Sequence, residues 1–205
     1  TGKDILTHVE YDAFGRQVLE YLPYCKWYGS PNLNYDSAAK TETMTYYSTY
    51  DPSVTGNPNF DQTSNPYSEK LFEQSPLNRV LKQASPGNDW KMGLGHEIRF
   101  DYERNGVNDV KLFKAVSDFN TNSVTLTNGS GTIYYAAGEL YKTITKDENW
   151  VSGKNHTTEE FKDKEGNIVL KRTHSDYIDI NGVPMAIAAA HDTYYVYDQY
   201  NNLTY

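Results

Sequence analysis

Three stretches of this chain share one short pattern, Asp-x-x-Gly or Asp-x-x-Asn, each followed by apolar or long residues near alternation. They are Asp12–Gly15 in "YDAFGRQVLEYLP" (11–23), Asp163–Gly166 in "KDKEGNIVLKR" (162–172) and Asp198–Asn201 in "YDQYNNLTY" (197–205). A type I turn favours Asp at its first position, where the carboxylate accepts a hydrogen bond from the backbone two residues on. The fourth residue must then be left-handed, which Gly adopts freely and Asn next best. A type I turn closed by a left-handed residue is a common link between antiparallel strands. Val18 and Leu19, Ile168 and Leu170, and Leu203 and Tyr205 follow the three turns. Each copy therefore predicts strand, tight turn, strand, with a structural Asp rather than a general acid.

Two looser copies are present. "FEQSPLNRVLKQASPG" (72–87) keeps an aromatic, Asn78-Arg79 and Val80 around a turn two residues longer, and "YYAAGELYKTI" (134–144) keeps its aromatics and Gly138 but has no Asp. The copies are unevenly spaced, so they read as hairpins recurring within a sheet that carries large insertions, not as a regular solenoid.

Composition agrees with a β fold. Tyrosine is the outlier at 19 residues, against 7 Phe and 3 Trp, and its ring suits a half-buried pleated surface. The 205 residues are long enough for one domain with a real core, predicted over 1–205. Strand patterns run through 4–12, 16–23, 41–51, 96–103, 109–117, 123–127, 132–138, 139–148, 156–163, 167–179 and 193–198. The Thr/Tyr-rich "TETMTYYSTYD" (41–51) belongs to that set, and 65–76 has room for one helical turn. The segment 182–192 fits a short helix or a buried strand equally; 27–40 and 51–66 read as loops.

Several function classes lack their signatures. The net charge is −8, with Lys and Arg scattered; a phosphate backbone or an anionic membrane needs a concentrated basic patch, so neither nucleic acid nor membrane insertion is expected. Cys25 is the single cysteine, which excludes an intrachain disulfide or a cysteine-based zinc site. His8, His96, His156, His174 and His191 show no helical zinc spacing, "GLGH" (93–96) lacks the features of a phosphate loop, and no nucleophile is paired with a base. Asp51 and Asp61 lack the ligand spacing of a calcium loop. No cofactor, metal or catalytic residue is expected. Trp27, Tyr28, Trp90 and Trp150 lie in loop-like sequence beside Gly, Asn and Asp, where they could stack on sugar rings or anchor a partner; packing at the sheet ends is the simpler role.

"YDAFGRQVLEYLP" and "YYVYDQYNNLTY" resemble the YD repeats of the bacterial Rhs/YD-repeat family, close to Y-D-x-x-G-R-L. The blocks "NPYSEKLFEQSPLNRVLKQASPGNDWKMGLGHEIRFDYERN", "YYAAGELYKTITKDENW" and "HTTEEFKDKEGNIVLKR" are similar to the part upstream of the core in large Rhs-type surface proteins. Asn201 stands for the repeat Gly, Asn167 and Asn202 for the repeat Arg, and the family's self-cleaving core motif is absent. The resemblance implies a hairpin ribbon coiled into a shell around a C-terminal toxin or variable domain, secreted or at the cell surface. Asp12, Gly15, Arg16, Asn78, Arg79, Gly138, Asp163, Gly166, Asp198 and Asn201 would be its repeat turns. The chain opens on "TGKDILTH" and closes on "NNLTY", so the expectation is a mainly antiparallel all-β segment cut from a longer polypeptide. Its partners would be the remainder of that polypeptide and, through open sheet edges, further copies of itself. The rival reading is a carbohydrate- or receptor-binding β-domain, and an enzyme such as a glycosidase, with a carboxylate pair drawn from the 27 acids, stands third.

Overall fold

The computed structural model describes residues 3–27, 35–49, 62–128, 133–178 and 184–205. The fold is mostly antiparallel β, and the chain divides into two compact units, 1–99 and 100–205.

The first unit holds β1 (Lys3–Leu6), β2 (Leu19–Tyr21), β3 (Tyr24–Trp27), α1 (Ala39–Ser48), β4 (Tyr67–Phe72), β5 (Val80–Ala84) and the start of β6 (Ile98–Arg104). β1 pairs with β3, while the larger sheet runs β2-β4-β5-β6. The strand expected over 41–51 is a correction: 41–48 lie in α1. Ala39, Thr43 and Tyr47 recur every four residues and are all buried, a helical stripe that overrides the β preference of Thr and Tyr. The stripe packs on Tyr24, with Leu6, Leu22 and Tyr46 around it. The Asp36 carboxylate accepts from the Ala38 N–H at 2.9 Å just ahead of the helix. Glu42 accepts from the Tyr24 hydroxyl at 2.7 Å, and Lys26 reaches the same carboxylate at 2.6 Å. No helix among the described residues is long and apolar enough to cross a membrane. The 65–76 segment, which has room for one helical turn, holds β4 instead, paired with β2 on one side and β5 on the other.

The second unit holds the remainder of β6, then β7 (Phe113–Asp118), β8 (Ser123–Asn128), β9 (Tyr141–Lys146), β10 (Thr157–Lys162), β11 (Ile168–Ile178) and β12 (Pro184–Tyr194). Its sheet runs β6-β9-β10-β11-β12, and β7 with β8 forms a separate hairpin. Within the ambiguous 182–192 segment, the residues from Pro184 on form strand β12, paired with β11 from Leu170↔Tyr194 to Ile178↔Pro184. Val110, Leu140, Phe161, Val169 and Leu170 form the core, with Tyr135 and Tyr194 against it. β10 alternates strictly, with Thr157, Glu159 and Phe161 buried. Burying Phe161 contributes roughly 2–3 kcal/mol.

Candidate functional site

The Asp turns share one hydrogen-bond pattern. The N–H of Gly15, Gly166 and Asn201 donates to the backbone oxygen of Asp12, Asp163 and Asp198 at 3.0, 3.2 and 3.0 Å. Each Asp N–H donates to the carbonyl four residues on, in Arg16, Asn167 and Asn202, at 2.9, 3.0 and 3.0 Å. Each Asp Oδ1 in turn accepts the N–H of that residue, at 2.9, 2.8 and 2.9 Å. Gly15, Gly166 and Asn201 are left-handed, with φ of 74°, 91° and 65°. These bonds act on the ionised carboxylate. The Arg16 N–H holds the Asp12 carboxyl below the ordinary aspartate range, aided by the Arg16 side chain; the Asn202 N–H does the same for Asp198.

The looser copies reach the same geometry by substitution. In the longer 73–79 turn, Glu73 takes the Asp role with one more methylene: its N–H donates to the Arg79 carbonyl at 2.9 Å, and its Oε1 accepts the Arg79 N–H at 3.2 Å. The Arg79 guanidinium lies 2.7 Å from Oε2 and lowers the Glu73 carboxyl to about 2. At Gly138 the missing Asp is replaced from a distance. Asn105 accepts the Gly138 N–H on its carbonyl at 2.9 Å and the Leu140 N–H on its Oδ1 at 2.7 Å, and it donates its own N–H to Leu140 at 3.2 Å. Asn105 Nδ2 donates to the Ala136 carbonyl at 2.8 Å.

Neighbouring tips are laced together. The Arg16 guanidinium donates to Asn78 Oδ1 at 3.3 Å and to the Glu73 carbonyl at 3.4 Å. Asn167 Nδ2 donates to Asn201 Oδ1 at 2.6 Å, and Arg104 donates to the Gly138 carbonyl at 2.8 Å. In each pair an acceptor belongs to the left-handed residue of the facing turn, Asn78, Asn201 or Gly138. Asn at 78 and 201 thus supplies a side-chain acceptor that Gly lacks.

These pairs of hairpins match in register. The Lys70 N–H donates to the Val18 carbonyl at 2.9 Å, and the Tyr195 N–H donates to the Val169 carbonyl at 3.0 Å. One residue along each chain, Leu19 pairs with Glu69 and Leu170 with Tyr194. Turn 12–16 therefore corresponds to turn 163–167, and turn 73–79 to turn 198–202.

A further tip of this kind escapes the spacing rule. Between β9 and β10, the Asp147 N–H donates to His156 at 3.0 Å, and Asp147 Oδ1 accepts the Asn149 N–H at 2.9 Å. The loop is longer and closes on a left-handed His156, φ 59°, so only Asp147 itself could have signalled it.

The second unit also carries a buried ionic cluster. Glu159, 3% exposed, faces Lys142, Arg172 and His174 at 3.3, 3.6 and 3.5 Å. Arg172 clasps Asp192 in two hydrogen bonds, at 2.7 and 3.0 Å, and Asp109 at 2.9 Å. Burial pushes the Asp109 carboxyl up, but Arg172 and the Gly106 N–H outweigh it and the net shift is downward. Burial lowers the His174 pKa against the pull of Glu159. With Arg172 held between two carboxylates, the cluster ties β10, β11 and β12 to the 109 segment. No group of three or more His, Cys, Asp or Glu that could hold a metal occurs among the described residues.

Two of the four aromatic candidates, Trp90 and Trp150, are engaged. Trp90 packs on His96 with ring centres 5.2 Å apart. The Trp150 indole N–H donates to Gly153 at 3.1 Å, and the Lys146 ammonium lies 4.3 Å over its ring. Tyr28, the Trp27 side chain, Asp51 and Asp61 lie outside what the structure describes.

No curated protein and no solved structure matches the chain. Residues 1–104, the β1–β6 portion with the first laced pair of tips, match one family model, and the chain belongs to that family, described as a domain of unknown function (DUF6443).

Proposed function

We propose that the chain is a non-enzymatic structural segment of a β-shell of the Rhs/YD-repeat type, secreted or at a cell surface. Its partner would be the remainder of such a polypeptide, with a C-terminal variable domain inside the shell. The observation that carries this reading is the register match between the two laced hairpin pairs. The most repeated chemistry of the chain is spent on closing turns and tying one tip to the next. The Asp carboxylates at the tips accept backbone N–H groups, which leaves them suited to holding structure rather than moving protons. β12 ends the strand order of its sheet among the described residues, and such an edge favours pairing with another chain.

A glycan array combined with light scattering over a concentration series tests the reading. The scaffold predicts assembly that grows with concentration and no glycan signal. A monomer that binds glycans, and loses them on Trp90→Ala or Trp150→Ala, would replace it with the carbohydrate-binding reading. Protease accessibility on intact cells tests the surface location.

A further inference from the structure

Each laced pair of tips borders a groove, and the two grooves are built from corresponding positions. In the first unit the groove lies beside Arg16 and Asn78, over Val18 and Leu71, and encloses about 810 Å³. In the second unit it lies beside Asn167 and Asn201, over Val169 and Val196, and encloses about 480 Å³. The difference has a visible source. In the second unit the chain's own Leu112, Phe113 and Lys114 form a wall of the groove, with Phe113 edge-on to Tyr194 at 5.0 Å. Val196 is 5% exposed, while its counterpart Leu71 is 48% exposed and Phe14 at the rim 80% exposed. One position is thus covered in one unit and bare in the other.

Charge separates the two grooves further. Besides Lys114, the second is lined by three carboxylates, Asp163, Glu165 and Asp198, and no Lys or Arg. The first has two cations, Arg16 and Lys70, each paired with a carboxylate at its side, Asp12 and Glu20, and one carboxylate, Glu73, held by Arg79, so it carries no acidic excess. A lysine that suits the acidic second groove finds no such excess of carboxylates in the first.

We propose that the groove of the first unit binds an extended segment of a partner polypeptide, lying as Leu112–Lys114 lies in the second. It would carry an aliphatic residue, then an aromatic one, then a neutral or acidic residue. The apolar pair covers Leu71 and Val18, and the third residue meets Arg16 and Lys70. The proposal rests on the equivalence of the grooves, not on the Rhs resemblance.

The probe is a fluorescein-labelled peptide of residues 109–118, DVKLFKAVSD, and its Lys114→Glu version, titrated against the 205-residue chain by anisotropy. The Lys114→Glu peptide is expected to saturate and to bind several-fold more tightly than the parent. Leu71→Asp in the protein places a charge in the apolar floor and should weaken binding about tenfold or more. Phe14→Ser, at an exposed tip, should weaken it as well, and melting curves check that both variants fold. No saturable binding, a preference for the parent peptide, or equal binding to folded Leu71→Asp and Phe14→Ser proteins would overturn the proposal.

Discussion

The side-chain amide of Asn167 donates to Oδ1 of Asn201 at 2.6 Å, and so joins the tip of one hairpin to the left-handed residue of the next. Arg16 and Asn78 make the same link at 3.3 Å. A position that looks like a second-best glycine is therefore half of a bond between turns.

That bond is measurable by a double-mutant cycle. Asn167→Ala should destabilise the chain by about 0.5–1.5 kcal/mol, since it also loses its bond to Asp163. Asn201→Gly removes an acceptor but relieves a left-handed side chain, so its own effect should stay within about 0.5 kcal/mol. The coupling in chemical denaturation should be about 0.5 kcal/mol; a value of zero means the tips are not laced in solution.

Gly15 has φ 74°, and a Cβ added there would meet nothing within 4 Å. The cost of a side chain is thus one of backbone conformation alone. Gly15→Val should cost about 1–3 kcal/mol and Gly15→Asn much less. Thermal melts that show the two variants equal would contradict the turn geometry.

Asn105 is 3% exposed, and its side chain serves two backbone groups of the Gly138 turn. Asn105→Ala strands the buried Leu140 N–H, while the exposed Ala136 carbonyl keeps the Glu139 N–H, for about 1–3 kcal/mol. Hydrogen exchange should show Leu140 losing protection first. Undiminished protection at Leu140 would mean that the turn holds without Asn105.

His174 is buried beside Glu159, with Lys154 and Arg172 adding positive charge, and its pKa lies below the ordinary 6.5. The unfolded chain then binds the proton more readily than the folded one. Its contribution to stability is complete above pH 6.5 and is lost as the pH falls through the lowered folded value. The melting temperature should drop on acidification through this window, and His174→Gln should flatten the drop. An identical pH slope in both proteins would remove His174 as the cause.

The three Asp-x-x-Gly/Asn tips were legible in the sequence because their hydrogen bonds run between residues four apart or fewer, and so depend on local residue types alone. Strand content was legible for a similar reason, from alternation and the tyrosines. The 41–51 segment reads as a strand because its Thr and Tyr residues favour strands in isolation, whereas burial of Ala39, Thr43 and Tyr47 beside Tyr24 favours a helix up to Ser48. Nothing local announces that Asn105 completes a turn at 138, that Arg172 sits between Asp109 and Asp192, or that Asn167 reaches Asn201. Those partners lie 20 to 63 residues apart. The sequence alone determined where the chain turns; only the tertiary structure decided which turns meet, because strand order and register set those distances.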